Sequence, residues 1–223
     1  MSLSDIAWLL VWGTLTGIDL ASVPQVMMAR PLVAGTVAGA IIGDPAGGLV
    51  VGAVLELFAL EVMPVGAARY PDYGPAAVGG VTLAAGTEGV HGVGLAIAVS
   101  MLVAFVGDFT IHLMRWFNTE SVRRRVALLE QGDAAAIATI QRHGLLRDAL
   151  RSLALTTFGL ALAWAARSSP PLGENGEMLL DTVVIGAALA SATSGALRLS
   201  GRGSAIRWLA LGLAAGVGVI LFR

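Results

Sequence analysis

The chain has 223 residues, of which 56% are hydrophobic and 13% are charged, and its formal net charge is −1. A soluble domain carries about 25% charged residues, so this composition excludes an ordinary soluble fold, and the balanced charge argues against nucleic-acid binding. Cysteine and lysine are absent, which excludes disulfides, thiolate chemistry and lysine Schiff bases. The mean hydropathy of +0.80 and the long apolar blocks predict an all-α protein that crosses a lipid bilayer several times.

The first half consists of apolar segments broken by proline and glycine. The segment 6–20 predicts a membrane helix and has no features of a removable signal peptide. Gly43-Asp44-Pro45 predicts a turn that joins the next two segments in a helical hairpin, and Asp44 is interpreted as a turn residue. Five glycines would let the two backbones approach closely. They are Gly35, Gly39, Gly47, Gly48 and Gly52.

Further segments predict a division of the chain into two membrane halves. The segment 76–85 is too short to span and is expected to be broken or re-entrant, whereas 90–117 is long enough to cross with tilt. The arginine-rich stretch 118–152 predicts a basic cytoplasmic loop. We therefore expect an N-terminal membrane half over 1–117, this loop, and C-terminal membrane helices over 153–223. The predicted spans of that last part are 153–166, 178–197 and 208–222.

Two carboxylates are the main candidates for substrate contact. Glu56 falls within an apolar run, where an ionised side chain costs about 2.5–3.5 kcal/mol, so it is predicted to bind a sugar or a cation. The alternative is a carboxyl paired with Arg69 or held neutral between helices. Asp72 follows a proline-broken stretch in which it and free backbone groups could bind a polyhydroxyl ligand, or it is an exposed loop acid. Arg69 could orient Asp72 or mark an interface.

Other polar residues have less specific interpretations. Asp19 and Gln25 could line a cavity or form a polar pair at a helix end. Asp108 and His112 have the spacing of a hydrogen-bonded helical pair, with a proton relay as the alternative. The three histidines have no metal-ligand spacing, and the sequence contains no nucleophile motif, so neither a metal site nor a catalytic site is predicted.

Five ordered motifs resemble the membrane IIC subunit of the mannose/sorbose-type sugar phosphotransferase system. The pieces are R-P-L at 30–32, G-D at 43–44, G-x-x-L-E at 52–56, G-A-A at 66–68 and P-D at 71–72. A weaker match covers 181–199. The resemblance implies a sugar-translocating subunit of the bacterial inner membrane that has no cofactor and no phosphorylated residue of its own. It further implies a IID-like partner, a trimer of IIC–IID pairs and phosphate supply from IIA and IIB proteins.

This resemblance leads to a specific hypothesis for the site. A hexose is expected near the bilayer midplane, with Glu56 and Asp72 as acceptors and with Arg69 and Gln25 as further binding residues. The sequence departs from the family pattern at VPQVMMARPL and ends about one membrane segment early. These departures motivate an alternative, a structural or regulatory homologue without transport. A stand-alone ion-coupled carrier that uses Glu56 as a proton site is the other alternative.

Overall fold

The computed structural model describes residues 1–61, 69–85, 92–168 and 173–198, together with isolated positions between 203 and 214. Within these ranges all regular structure is α-helical. The helices are α1 (Leu3–Ala21), α2 (Pro31–Ile42), α3 (Pro45–Ala59), α4 (Tyr73–Ala84), α5 (Val93–Arg123), α6 (Val126–Glu130), α7 (Ala134–Arg167) and α8 (Glu174–Arg198). Four of these helices, α1, α5, α7 and α8, are long and apolar enough to cross a membrane. The predicted all-α, polytopic membrane fold is confirmed.

The predicted hairpin is formed by α2 and α3. Gly43 ends α2 with φ +85°, and the Asp44 carboxylate accepts a hydrogen bond from the backbone N–H of Gly47 (2.9 Å) at the start of α3. The two legs touch through their backbones, since a Cβ added at Gly35 would lie 2.7 Å from the carbonyl oxygen of Gly48. The interpretation of Asp44 as a turn residue is confirmed, and the tight glycine contact makes the hairpin one compact unit.

The short helix α4 lies at the centre of the bundle. Its 12 residues extend about 18 Å, well short of the roughly 30 Å of a hydrocarbon core, and every residue from Gly74 to Ala84 is buried. It packs closely on α7, where a Cβ added at Gly79 would lie 3.0 Å from the backbone of Gly159. A broken segment is tolerated at membrane depth here because surrounding helices shield it from lipid.

The stretch expected as a separate cytoplasmic loop, 118–152, is mostly helical. The helices α5 and α7 extend into it from both sides, and α6 lies in the short connection between them. Arg147 joins the two long helices by donating hydrogen bonds to Asn118 Oδ1 (3.0 Å) and Ser121 Oγ (2.7 Å). The basic region is therefore continuous with the membrane helices, because neither α5 nor α7 contains a proline that would end it.

The helix α8 packs against two other helices of the bundle. The Asp181 carboxylate accepts a hydrogen bond from the backbone N–H of Gly94 (2.6 Å) at the start of α5, and Ser191 Oγ donates one to Glu61 Oε2 (2.7 Å) just after α3. This helix corresponds to the predicted span 178–197. The predicted span 208–222 lies outside the described residues apart from isolated positions.

Candidate functional site

One buried carboxylate binds the loop between α1 and α2. Asp19, near the end of α1, is 2% exposed and accepts hydrogen bonds from the backbone N–H groups of Val26 (2.7 Å) and Ala29 (3.0 Å). Within the same loop, Gln25 and Met27 have φ values of +60° and +70°. Residues other than glycine rarely adopt this left-handed conformation, so the loop depends on its contacts with α1.

This loop forms one wall of a cavity of about 310 Å³. The C-terminal ends of α1 and α3 and the N-terminal ends of α2 and α4 meet around it. Its polar lining comes from Asp19, Gln25, Arg30, Tyr70 and Tyr73. Helix ends carry backbone groups without intrahelical partners, and converging ends of broken helices form substrate sites in membrane transporters. The cavity therefore has the composition of a site for a small polar ligand.

Arg30 connects the cavity to Glu56. The guanidinium forms an ion pair with Glu56 Oε1, and the backbone N–H of Leu32 donates to Glu56 Oε2 (3.3 Å). Arg30 immediately precedes α2, and Glu56 lies in the last turn of α3, so the pair joins the two legs of the hairpin at its open end. The expected alternative, a pair between Glu56 and Arg69, is wrong because Arg30 is the cation that the hairpin brings to this carboxylate.

Asp72 is part of a buried network behind the cavity wall. Its side chain is fully buried, and Oδ2 accepts a hydrogen bond from Arg151 Nη1 (2.7 Å). Arg151 is also bound to Asp148 (2.9 Å), whose other oxygen accepts a hydrogen bond from Ser22 Oγ (2.5 Å). The backbone N–H of Asp72 donates to the carbonyl oxygen of Ala104 (3.0 Å) in the middle of α5. This network joins α1, α4, α5 and α7.

The interpretation of Asp72 as an exposed loop acid is wrong, because the surrounding helices close over it. Asp72 Oδ1 has no hydrogen-bond partner. The neighbouring Tyr70, Pro71 and Tyr73 line the cavity, whereas Asp72 itself does not. Asp72 therefore lies behind the cavity lining and does not contact the cavity directly.

Arg69 lies outside the cavity. Its side chain is 71% exposed and its Nη2 donates to Asp108 Oδ2 (3.0 Å) on α5. The ring nitrogen Nδ1 of His112 is 3.3 Å from Asp108 Oδ1, but its hydrogen-bond partner is the backbone carbonyl oxygen of Asp108 (2.9 Å), so the two residues are in contact as predicted, without a hydrogen bond between their side chains. One turn further along, Arg115 Nη2 lies 3.4 Å from the hydroxyl of the cavity residue Tyr70.

The four residues predicted to bind substrate thus occupy four different environments. Gln25 lines the cavity, Glu56 reaches it through Arg30, Asp72 is buried behind its wall, and Arg69 is on the surface. Their roles in substrate binding stay predictions. Over the described ranges, no group of three or more His, Asp or Glu side chains is arranged to hold a metal ion.

Neither Arg30 nor Arg151 has a site role predicted from the sequence, although the sequence contains a signal for both. Arg30 and Glu56 stand at nearly equal distances along the chain from the turn at Asp44, so a hairpin register would have brought them together. Asp148 and Arg151 have i, i+3 spacing on one helical face. The basic composition of 118–152 instead predicts that Arg151 belongs to a loop.

The comparisons with known proteins decide the family. The model for the sorbose-specific IIC component of the phosphotransferase system matches residues 3–169. The chain is a member of this sorbose-specific IIC family. The resemblance found in the sequence motifs is confirmed, and the four membrane-length helices agree with an integral, multi-pass component.

Curated relatives in this IIC family carry the names of different sugars. The chain is 30% identical to the fructose permease IIC component of Bacillus subtilis over 83% of its own length and 68% of that protein. It is 28% identical to the sorbose-specific IIC component of Lacticaseibacillus casei over 70% of the chain and 56% of that protein. The mannose-specific IIC component of Escherichia coli is 30% identical over 55% of the chain, which spans 45% of that relative.

Solved structures share the fold of this IIC chain. One membrane-protein structure superposes with a TM-score of 0.71 at 19% identity. The superposition covers 100% of this chain and 96% of the matched chain in that structure. The cryo-EM structure of the mannose transporter ManYZ in complex with microcin E492 gives a TM-score of 0.63 at 21% identity. The superposition covers 100% of this chain and 95% of the matched chain in that structure. At these identities the similarity establishes the architecture alone.

Proposed function

We propose that this chain is the sugar-translocating IIC subunit of a phosphotransferase system and that it binds a hexose in the cavity where the four helix ends meet. The observation that carries the proposal is this cavity of about 310 Å³, with a carboxylate, an amide, a guanidinium and two tyrosines in its lining. Pockets for small molecules have volumes of about 300–1,000 Å³, so this one suits a ligand of monosaccharide size.

The chemistry of the lining matches a polyhydroxyl ligand. Gln25 has both a donor and an acceptor in its amide, and Arg30 is a fixed donor, so together they complement sugar hydroxyls that donate and accept. Tyr70 and Tyr73 add apolar ring surface with a polar tip. Glu56 would accept a hydroxyl hydrogen bond beside Arg30, and Asp72 would hold the tyrosine-bearing wall without touching the sugar. Arg69 would support that wall from outside through Asp108.

The position of the cavity wall that carries Tyr70 and Tyr73 supports binding near the bilayer midplane. Asp72 donates its backbone N–H to Ala104, which lies close to the middle of the apolar part of α5. By the positive-inside rule, the arginine-rich ends of α5 and α7 face the cytoplasm. A sugar in the cavity would thus be inside the membrane and on the way to the cytoplasmic side of a bacterial inner membrane.

The proposal includes the partners expected of such a system. A IID-like membrane subunit would complete the sugar pathway, and pairs of the two subunits would assemble as a trimer. IIA and IIB proteins would phosphorylate the sugar on the cytoplasmic side, so this chain would bind and move the substrate while its partners carry out phosphoryl transfer. Co-purification with a IID-like subunit checks the assembly separately from sugar binding.

The test compares two glutamates that are each paired with an arginine. Glu56→Gln changes the pair at the cavity, and Glu120→Gln changes the exposed pair with Arg124 at the end of α5. In membranes that also contain the partner subunits, we expect Glu56→Gln to reduce the uptake of a labelled hexose by about tenfold or more, since a hydrogen bond to a charged group contributes about 1.5–3 kcal/mol.

The Glu120→Gln variant is the control for this uptake experiment. Glu120→Gln is expected to leave uptake unchanged, because an exposed ion pair contributes little and is far from the cavity. Equal uptake by the Glu56→Gln variant and the wild-type chain, at equal amounts in the membrane, would refute the assigned site. Failure of the wild-type complex to take up any hexose would refute the proposed function itself.

A further inference from the structure

We propose that Asp19 is a positioning residue for the sugar cavity, and that it acts by holding the loop 22–30, with its left-handed backbone at Gln25 and Met27, in the path that brings Gln25 and Arg30 to the cavity wall. The inference rests on the proposed function for the identity of the ligand. The hydrogen bonds that carry it are a property of the chain alone.

Both oxygens of Asp19 are engaged with the loop. Oδ1 accepts from the N–H of Val26 (2.7 Å), and Oδ2 accepts from the N–H of Ala29 (3.0 Å). The loop passes this constraint onward, because the backbone N–H of Arg30 donates to the carbonyl oxygen of Met27 (3.1 Å). One carboxylate in α1 thereby determines where the first turn of α2 begins and where the Arg30 side chain enters the cavity.

The backbone itself explains why such a clamp is needed. Gln25 and Met27 have φ values of +60° and +70°, and side chains with a Cβ are disfavoured there by contact with the following carbonyl. Strain of this kind persists only where the surroundings enforce it, and it is concentrated at ligand sites. Two charge-assisted hydrogen bonds to backbone N–H groups are the enforcing contacts in this loop.

Asp19 is poorly placed to bind the sugar directly. It is 2% exposed, although it belongs to the cavity lining, and its two oxygens already face two backbone donors. A positioning role and a direct contact make different predictions for the loop. Only the positioning role depends on the conformation of Met27.

The experiment starts with Asp19→Asn, which preserves size but places an amide nitrogen opposite one of the two backbone donors. We expect faster hydrogen exchange at the N–H groups of Val26 and Ala29, with little change in α7. In the complex with its membrane partner, KM for hexose uptake should rise by about tenfold, since a charge-assisted hydrogen bond is lost.

The decisive step is a rescue at Met27. Glycine adopts positive φ without cost, so Asp19→Asn with Met27→Gly should return KM to within about threefold of the wild-type value. Asp19→Asn with Met27→Ala is the matched control, since it removes the same side chain without freeing the backbone. Equal rescue by glycine and alanine, or by neither, would overturn the proposal.

The two measurements, hydrogen exchange in the loop and KM for hexose uptake, separate this proposal from the proposed function. Unchanged exchange in Asp19→Asn would refute the clamp whatever the ligand is, and faster exchange with unchanged KM would refute its role in positioning. A wild-type complex that takes up no hexose would refute the proposed function and the substrate half of this inference, while the exchange result would still decide whether Asp19 holds the loop.

Discussion

Replacing Arg151 by methionine would test the network behind the cavity wall. The guanidinium binds Asp72 (2.7 Å), Asp148 (2.9 Å) and the carbonyl oxygen of Gly17 (3.1 Å), and its side chain is only 6% exposed. Methionine preserves much of the length but leaves two buried carboxylates without a cation. Removing one member of a buried ion pair costs about 3–5 kcal/mol, because the remaining charge stays desolvated.

This cost is measurable as a loss of thermal stability. For a chain of this size, about 2–4 °C of Tm per kcal/mol predicts a decrease of about 6–20 °C, followed as the monodisperse fraction that survives heating in detergent. Arg124→Met is the matched control. Arg124 pairs with Glu120 (2.8 Å), but its side chain is 74% exposed, so its loss should cost about 0–1 kcal/mol.

The comparison also has an internal rescue. Adding Asp72→Asn and Asp148→Asn to Arg151→Met should recover part of the lost stability, since the stranded charges are then removed. A Tm for Arg151→Met within about 2 °C of the Arg124→Met value would refute the reasoning, because it would mean that the buried carboxylates do not depend on this cation.

Two further predictions concern helix packing. Gly48→Ala should lower Tm by several degrees, because its Cβ would lie 2.8 Å from the Cα of Gly39 across the hairpin, whereas Gly186→Ala, whose Cβ would meet nothing within 4 Å, should be neutral or stabilising in the same thermal assay. A larger decrease in Tm for Gly186→Ala than for Gly48→Ala would contradict the close hairpin contact. Asp181→Asn should weaken the packing of α8 by about 1–3 kcal/mol, since a charged acceptor for the N–H of Gly94 is lost. Hydrogen exchange at the start of α5 should then increase, and unchanged exchange there would contradict this attachment.

Several features of the molecule could be predicted because their causes are local. Hydropathy along the chain identified the membrane helices, and the Gly43-Asp44-Pro45 turn with its flanking glycines predicted the hairpin. The same kind of local pattern was misleading at 118–152, where a basic composition predicted a loop and the structure is mostly helical. Charge patterns indicate which residues face water or lipid headgroups, and they do not end a helix that contains no proline.

The candidate site was predicted in part. Proline and glycine breaks located the irregular half of the chain, and Gln25 and Glu56 were identified in the part that contains the cavity. Asp72 was identified as unusual, but its environment was not, because the closure of four helices around it is a property of their packing. Arg69 was placed near the site by sequence proximity, whereas the structure pairs it with Asp108 on the surface.

The membrane setting, the hairpin and the family thus follow from the amino-acid sequence alone, since hydropathy, turn chemistry and ordered motifs are properties of short stretches. Helix packing, in contrast, selects the partner of each charge: Arg30 pairs with Glu56, Arg151 with Asp72, and Asp19 with the loop that follows it. A buried charge costs too much to remain alone and must find a partner. The first two partners are far apart along the chain, and the packing of the helices brings them together.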